Sequence, residues 1–154
     1  MEEFRPMRRG FGTLMVIGLL VVLSDVAGTA QAPNAGIVRP ISAVKFEQDE
    51  DIKCLTYALE SGDPKTGPST HILKVPTKCV VPWHHHSAEE QVVVIRGSVL
   101  TEMEGMSPST LNSGGFAMMP SKTRHRFSCG SNAECLILMT FDRPYDIFWD
   151  KEKQ

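Results

Sequence analysis

From Ile41 to Phe141 the chain runs as short stretches of alternating, β-branched and aromatic residues, each cut off by residues that only a turn accommodates. No segment carries helical periodicity of useful length. The strongest interruption, Ser61-Gly62-Asp63-Pro64-Lys65-Thr66-Gly67-Pro68, cannot belong to any regular element. Strands are expected near Ala43 to Glu47, Ile52 to Leu59, Thr70 to Val75 and Cys79 to His86. They continue through Gln91 to Glu104, long enough for two strands or for one bent at Gly97, a short piece from Ser109 to Leu111, then Phe116 to Met119, His125 to Cys129 and Glu134 to Phe141. Many short strands at this spacing point to an all-β sandwich or barrel. The chain has 154 residues; without a leader of about thirty it makes one domain of ordinary size, not two.

The chemistry-bearing residues gather in Pro82 to Gly97, PWHHHSAEEQVVVIRG. Side chains alternate along a strand, so His84 and His86 point one way and His85 the other. The polar step Ser87-Ala88-Glu89 can turn the chain, and Glu90, which opens the apolar run Val92 to Ile95, can then face back toward the two histidines. A fourth candidate, His125, follows Pro120 and a polar turn in GGFAMMPSKTRHRF. Three neutral imidazoles and a carboxylate suit a divalent first-row metal: iron(II), manganese(II), nickel, copper or zinc. The plainer alternative is an exposed histidine run that binds metals adventitiously. Met103, Met118, Met119 and Met139 read as core or pocket packing, and alternation sends only one of the adjacent pair Met118 and Met119 inward.

These residues resemble the cupin family. Its first motif is G-x5-H-x-H-x3,4-E-x6-G, and His84, His86, Glu90 and Gly97 fall on the last four fixed positions with permitted gaps. Lys78 stands where the opening glycine belongs. The second motif, G-x5-P-x-G-x2-H-x3-N, is met by Gly114, Pro120 and His125, with Lys122 at its second glycine and Cys129 at its asparagine. Those departures touch turns and strand ends, not ligands. The likeness covers about residues 38–141.

The resemblance implies a double-stranded β-helix, a jelly-roll cupin barrel over residues 41–143, holding one divalent transition metal on His84, His86, Glu90 and His125. Iron or manganese is favoured. Cupins include dioxygenases, oxalate-degrading enzymes, sugar isomerases and binding proteins without catalysis, so the fold alone transfers no reaction. The small single-barrel form most resembles dioxygenase-like members. The expectation is therefore an exported, dioxygenase-like oxidoreductase acting on a small metal-chelating substrate, with Glu90 also catalytic, loosening from the metal to accept a proton. The alternative is a non-catalytic metal or small-ligand binder, a sensor or scavenger; a sugar isomerase stands behind both. A phosphosugar would need a basic cluster, and of its candidates Lys122, Arg124 and Arg126, the two arginines alternate to the face opposite His125. Phe116 to Met119 are apolar and His71 lies on an earlier strand, so a dedicated protein acid and base look poorly provided for, which favours metal-centred oxidation.

The front of the chain reads as a signal peptide over residues 1–32. Arg5, Arg8 and Arg9 precede an apolar run from Phe11 to Leu23, and small residues at Ala27, Ala30 and Ala32 place cleavage between about 27 and 32. The run is short for a spanning helix, which needs about twenty residues, so no stable membrane span is expected after cleavage; the alternative is an uncleaved anchor. Arg8-Arg9-Gly10-Phe11 resembles the core of a twin-arginine signal. The destination is then the periplasm or the outside of the cell. Residues 33–40 are small, polar and proline-bearing, a flexible linker.

Formal net charge is −2, and nothing in it suits nucleic acid; the expected partner is a small molecule. All four cysteines lie beyond the leader. Cys129 and Cys135 flank a hairpin turn, which makes them the first candidate pair and leaves Cys54 with Cys79; buried free thiols are the alternative. Residues 144–154 form an aromatic C-terminal tail, expected to pack on the barrel wall or across a second subunit of a homodimer, or to act as a substrate lid.

Overall fold

The structure is a computed structural model and describes residues 36–151; the expected signal peptide lies outside the described residues. Among the described residues eleven strands appear in chain order: β1 Glu47–Gln48, β2 Thr56–Gly62, β3 Ser69–Val75, β4 Val80–His85, β5 Glu90–Arg96, β6 Ser98–Met103, β7 Ser109–Asn112, β8 Phe116–Met119, β9 His125–Cys129, β10 Cys135–Phe141 and β11 Phe148–Trp149. They form two antiparallel sheets. One has the order β1-β2-β3-β10-β5-β8 and the other β11-β4-β9-β6-β7. This is the all-β jelly roll expected from the sequence. Among the described residues no helix is long and apolar enough to cross a membrane.

Alternation decides what lies between the sheets. In β3, Ser69, His71, Leu73 and Val75 are buried while the residues between them are half-buried, and in β9 the buried set is His125, Phe127 and Cys129. Val75, Val94 and Ile137 are fully sealed from solvent, each contributing about 1.5–3 kcal/mol by burial. Met119 is buried and Met118 is 40% exposed, the split that adjacent positions on one strand require.

The expected strand from Ala43 to Glu47 is a correction. Ile41–Ala43 forms a single 3-10 turn, and only Glu47 and Gln48 find partners, Tyr57 and Thr56 of β2. The following strand also starts later than expected, at Thr56. Asp49 Oδ1 accepts hydrogen bonds from the backbone N–H groups of Asp51 (2.9 Å) and Ile52 (2.6 Å), so a side-chain-capped turn takes the place of a ladder.

Two disulfides, Cys54–Cys79 and Cys129–Cys135, account for all four cysteines. The second closes the β9–β10 hairpin. The first ties the segment before β2 in one sheet to the start of β4 in the other. Gly97 bends the chain between β5 and β6 at φ +95°, with Cys135 packed so close that an added Cβ would lie 2.8 Å from its Sγ. Lys78 and Lys122, at two glycine positions of the motifs, take the left-handed conformation all the same, at φ 67° and 64°. The motif departures therefore leave the turns in place.

Beyond β10 the chain returns to the barrel. Phe148 pairs with His85 and Trp149 with His84, so the tail adds an edge strand to the smaller sheet. His85 points outward as alternation requires. Its Nδ1 lies 2.9 Å from Asp150 Oδ2, and its ring stacks on Phe148 at 5.0 Å. Arg124 and Arg126 also face out, both against the Trp83 ring. Arg126 pairs with Glu102, and Arg124 donates to the Lys151 carbonyl at 2.6 Å.

Candidate metal centre

Neighbouring strands of the smaller sheet, together with β5 from the other, bring the four sequence candidates to one point. His84 pairs directly across from His125 in the β4–β9 ladder. His86 follows β4 by one residue, and Glu90 opens β5 after the turn through Ser87. One potential ligand atom from each of His84, His86, Glu90 and His125 lies within 4.8 Å of all the others, and all four residues are buried. Glu90 is 0% exposed.

The outer ring nitrogens fix the chemistry of the inner ones. His84 Nδ1 lies 2.7 Å from the Pro82 carbonyl oxygen, His125 Nδ1 lies 2.8 Å from that of Thr123, and His86 Nδ1 is hydrogen-bonded to the Asp146 carbonyl. A carbonyl only accepts, so each Nδ1 must carry the proton and each Nε2 is left free to ligate. Backbone acceptors of this kind orient imidazole ligands at metal sites. Ser87 N–H donates to Asp146 Oδ1 at 2.7 Å, so the same tail residue grips the chain just past His86.

Glu90 Oε2 lies 2.9 Å from His125 Nε2 and 3.1 Å from His86 Nε2. Its Oε1 is buried with no hydrogen-bond partner, a costly state for a carboxylate oxygen unless something binds it. Burial alone would raise the Glu90 pKa, but the His125 and His86 rings outweigh it and hold the carboxyl well below its usual range. Burial likewise works against a charged His125, yet the hydrogen bond and charge of Glu90 raise it. Desolvation, and then the neighbouring His125, lower His84 to about 4. A divalent cation suits this set: it would meet three oriented lone pairs and satisfy the orphaned carboxylate oxygen.

The centre forms part of the wall of a cavity of about 270 Å³, to which His84 and His86 contribute. Its other walls include Tyr57 of β2, His71 of β3, Phe141 of β10 and Tyr145 of the tail. His71 is 8% exposed, its Nε2 is 2.9 Å from Ser69 Oγ, and burial lowers its pKa from 6.5. Tyr145 sits 5.4 Å from the His86 ring and 4.9 Å from Phe141. The surrounding protein, and then Asp49, Glu90 and Asp51, keep its phenol protonated.

Here the sequence reading needs a second correction. His71 does stand on an earlier strand, but that strand crosses behind the same cavity, so titratable groups are present beside the ligands. The signal was available: His71, Leu73 and Val75 share one face of β3 by alternation. Nothing local could have found Tyr145 or the Asp146 carbonyl, which reach the site only because the tail pairs with β4.

No curated protein matches the chain. Solved structures with the same fold include the DMSP lyase DddQ from Ruegeria pomeroyi, at 16% identity and TM-score 0.60, with 70% of this chain and 61% of that one covered. The chain thus spans about three-fifths of that protein's length. KdgF from a Halomonas species aligns at 17% identity and TM-score 0.58 over 68% of this chain and 93% of its own. The polyketide cyclase RemF from Streptomyces resistomycificus aligns at 18% identity and TM-score 0.63, covering 77% and 89%. The family model of the cupin domain matches residues 71–141, the stretch from His71 on β3 to the end of β10 that contains all four clustered side chains. With both sequence motifs falling on those same strands, residues 71–141 match the cupin domain, and the two-sheeted barrel has the cupin fold.

Proposed function

We propose that the protein is a metal-dependent enzyme that moves a proton on a small organic substrate bound to the metal through oxygen. The observation that carries this reading is the placement of His71, Tyr57 and Tyr145 around the cavity onto which the oriented donor cluster opens. A divalent metal held by Nε2 of His84, His86 and His125 and by Glu90 would polarise the substrate oxygen and acidify the position next to it. His71 is the base: burial keeps its ring neutral at pH 7, and Ser69 Oγ steadies one ring nitrogen. The phenol of Tyr145 keeps its proton and is available as a donor to a developing oxyanion. Glu90, expected from the sequence to be catalytic as well, would serve here as a ligand, because the His125 and His86 rings hold its carboxyl below the range in which it accepts a proton. Two structures of similar fold bear the names lyase and cyclase, and neither name denotes an oxidation.

The dioxygenase-like reaction expected from the sequence is the second reading, since four protein ligands would leave two positions of a six-coordinate metal for dioxygen or a bidentate substrate. Oxygen separates the two. Metal-loaded protein is incubated with a panel of small enolic, phenolic and hydroxy-acid chelators, in air and under anaerobic conditions, with substrate loss and exchange of substrate carbon-bound hydrogen for deuterium followed by NMR. Anaerobic turnover or exchange that is lost in His71→Gln supports the proton-transfer reading. Turnover only in air, with oxygen consumed, moves the protein to the dioxygenases. Tight binding of chelators with neither turnover nor exchange makes it a binding protein. We also propose export to the periplasm or beyond, on the strength of the basic start and short apolar run.

A further inference from the structure

We propose that the cavity selects substrates carrying a cationic group, an organic ammonium or similar onium ion, at the end remote from the oxygen that binds the metal. The inference rests on the metal-centre reading and adds the substrate class. Its first support is the charge of the lip. Asp49, Glu50 and Asp51 line the cavity, and no lysine or arginine does so among the described residues. Asp49 Oδ1 is committed to its turn, but Glu50 and Asp51 are exposed, and among the described residues no hydrogen bond or ion pair engages either carboxylate. At the floor, one divalent ion with three neutral imidazoles and a single carboxylate would carry a net charge of +1. A ligand spanning the cavity thus meets a positive floor and a negative lip, an arrangement that orients a molecule with an anionic or chelating head and a cationic tail.

The second support is the lining between those ends. Tyr57, Phe141 and Tyr145 surround His71 with ring centroids 6.3, 5.9 and 6.5 Å from its own. Aromatic faces grouped in this way attract onium ions through their quadrupoles, an attraction that strengthens as water is excluded. His71 is more than nine-tenths buried, with one ring nitrogen on Ser69 and the other without a partner among the described residues. Glu90 Oε1, buried without a partner among the described residues, lies in the cluster that shares His84 and His86 with this cavity. The negative field reaches the wall as well, since Glu47, Asp49 and Glu50 raise the Tyr57 phenol beyond the effect of burial. A volume of about 270 Å³ is at the small end of ligand cavities and confines the choice to compact molecules.

The test uses matched probes on metal-loaded protein. Glycine betaine is compared by calorimetry with its uncharged-tail isostere 3,3-dimethylbutyrate, and the pair is repeated with one and two further methylenes to cover the reach from floor to lip. The expected result is tighter binding of the cationic member of at least one pair by about tenfold. That ratio should shrink to threefold or less in Glu50→Gln/Asp51→Asn and in Tyr145→Leu, and should also fall with added salt. Equal binding of both members at every length, or preference for the tert-butyl compounds, overturns the inference and leaves the metal-centre reading standing. Failure of every carboxylate to bind while the metal stays in place overturns it too. Protein that takes up no metal refutes the proposed function itself, and the inference with it. A tenfold ratio that persists unchanged in both variants would place the cation elsewhere and overturn the assignment to this lip.

Discussion

Replacing Lys122 or Lys78 by glycine should make the protein more stable. Both lysines hold a left-handed backbone, at φ 64° and 67°, where a Cβ costs about 1–2 kcal/mol. Glycine removes that cost but adds about 0.5–1 kcal/mol of conformational entropy to the unfolded chain. No packing is lost, because both side chains are exposed. No backbone bond is lost either: the Lys122 N–H donates to the His86 carbonyl at 2.8 Å and the Lys78 N–H to the Cys129 carbonyl at 3.1 Å, and glycine keeps the N–H. The balance is a gain of about 0.5–1 kcal/mol per site, or roughly 2–4 °C in Tm for a domain of this size. Urea denaturation of oxidised protein, read as a shift in midpoint at constant m-value, measures it. Two controls frame the result. Lys122→Ala keeps the strained φ and should stay within about 0.5 kcal/mol of the parent. Gly97→Ala adds the left-handed cost to a clash 2.8 Å from Cys135 Sγ and 3.1 Å from its Cα, and should lose about 2–4 kcal/mol. If Lys122→Gly destabilised the fold while Gly97→Ala left it unchanged, the reasoning from φ would be wrong.

Further outcomes are expected at the metal centre, in the pH dependence and at the front of the chain. Alanine at His84, His86 or His125 should cut bound metal, measured by mass spectrometry of the elements, by tenfold or more, whereas His85→Ala should leave it near one per chain; equal losses at all four would indicate an adventitious histidine cluster. Burial lowers His71 in the folded state, so the unfolded chain takes up its proton first, and stability should fall as pH drops below about 6.5. His71→Gln should flatten that slope, and an unchanged slope would show that the ring is not desolvated. Intact-mass measurement on cell fractions should find a chain shortened by about 27–32 residues outside the cytoplasm; full-length chain confined to the cytoplasm would defeat the export proposal.

The sequence is most informative where period and spacing do the work. Alternation alone sorts His84 and His86 from His85, buries Met119 and exposes Met118, and the turn at Ser87 lets Glu90 face back, so the four clustered residues are legible from one short stretch and one later histidine. The disulfides follow the same local logic, with Cys129 and Cys135 on either side of one hairpin. The early strands were less legible, because Asp49 satisfies its backbone neighbours with a side chain and removes them from the ladder. The cavity wall was hidden for a different reason. Tyr145 and Asp146 reach the site by a pairing of β11 with β4 that no pattern in the tail announces, and the proximity of His71 depends on how two sheets face each other. Acid and base groups that looked scarce in sequence order are neighbours in space.

The hydrogen bond from His86 to the Asp146 carbonyl has a consequence for how the protein is made. Every strand of β1 through β10 precedes residue 146 in the chain and is synthesised before it, at about 5–20 residues per second. A nascent chain halted after Arg143 holds the full imidazole and carboxylate set, yet His86 lacks the acceptor that fixes its tautomer, and Ser87 lacks the Asp146 carboxylate. Full orientation of the four clustered side chains thereby waits until the tail docks. A C-terminally clipped product would keep all four clustered side chains and lose the acceptor that orients one of them.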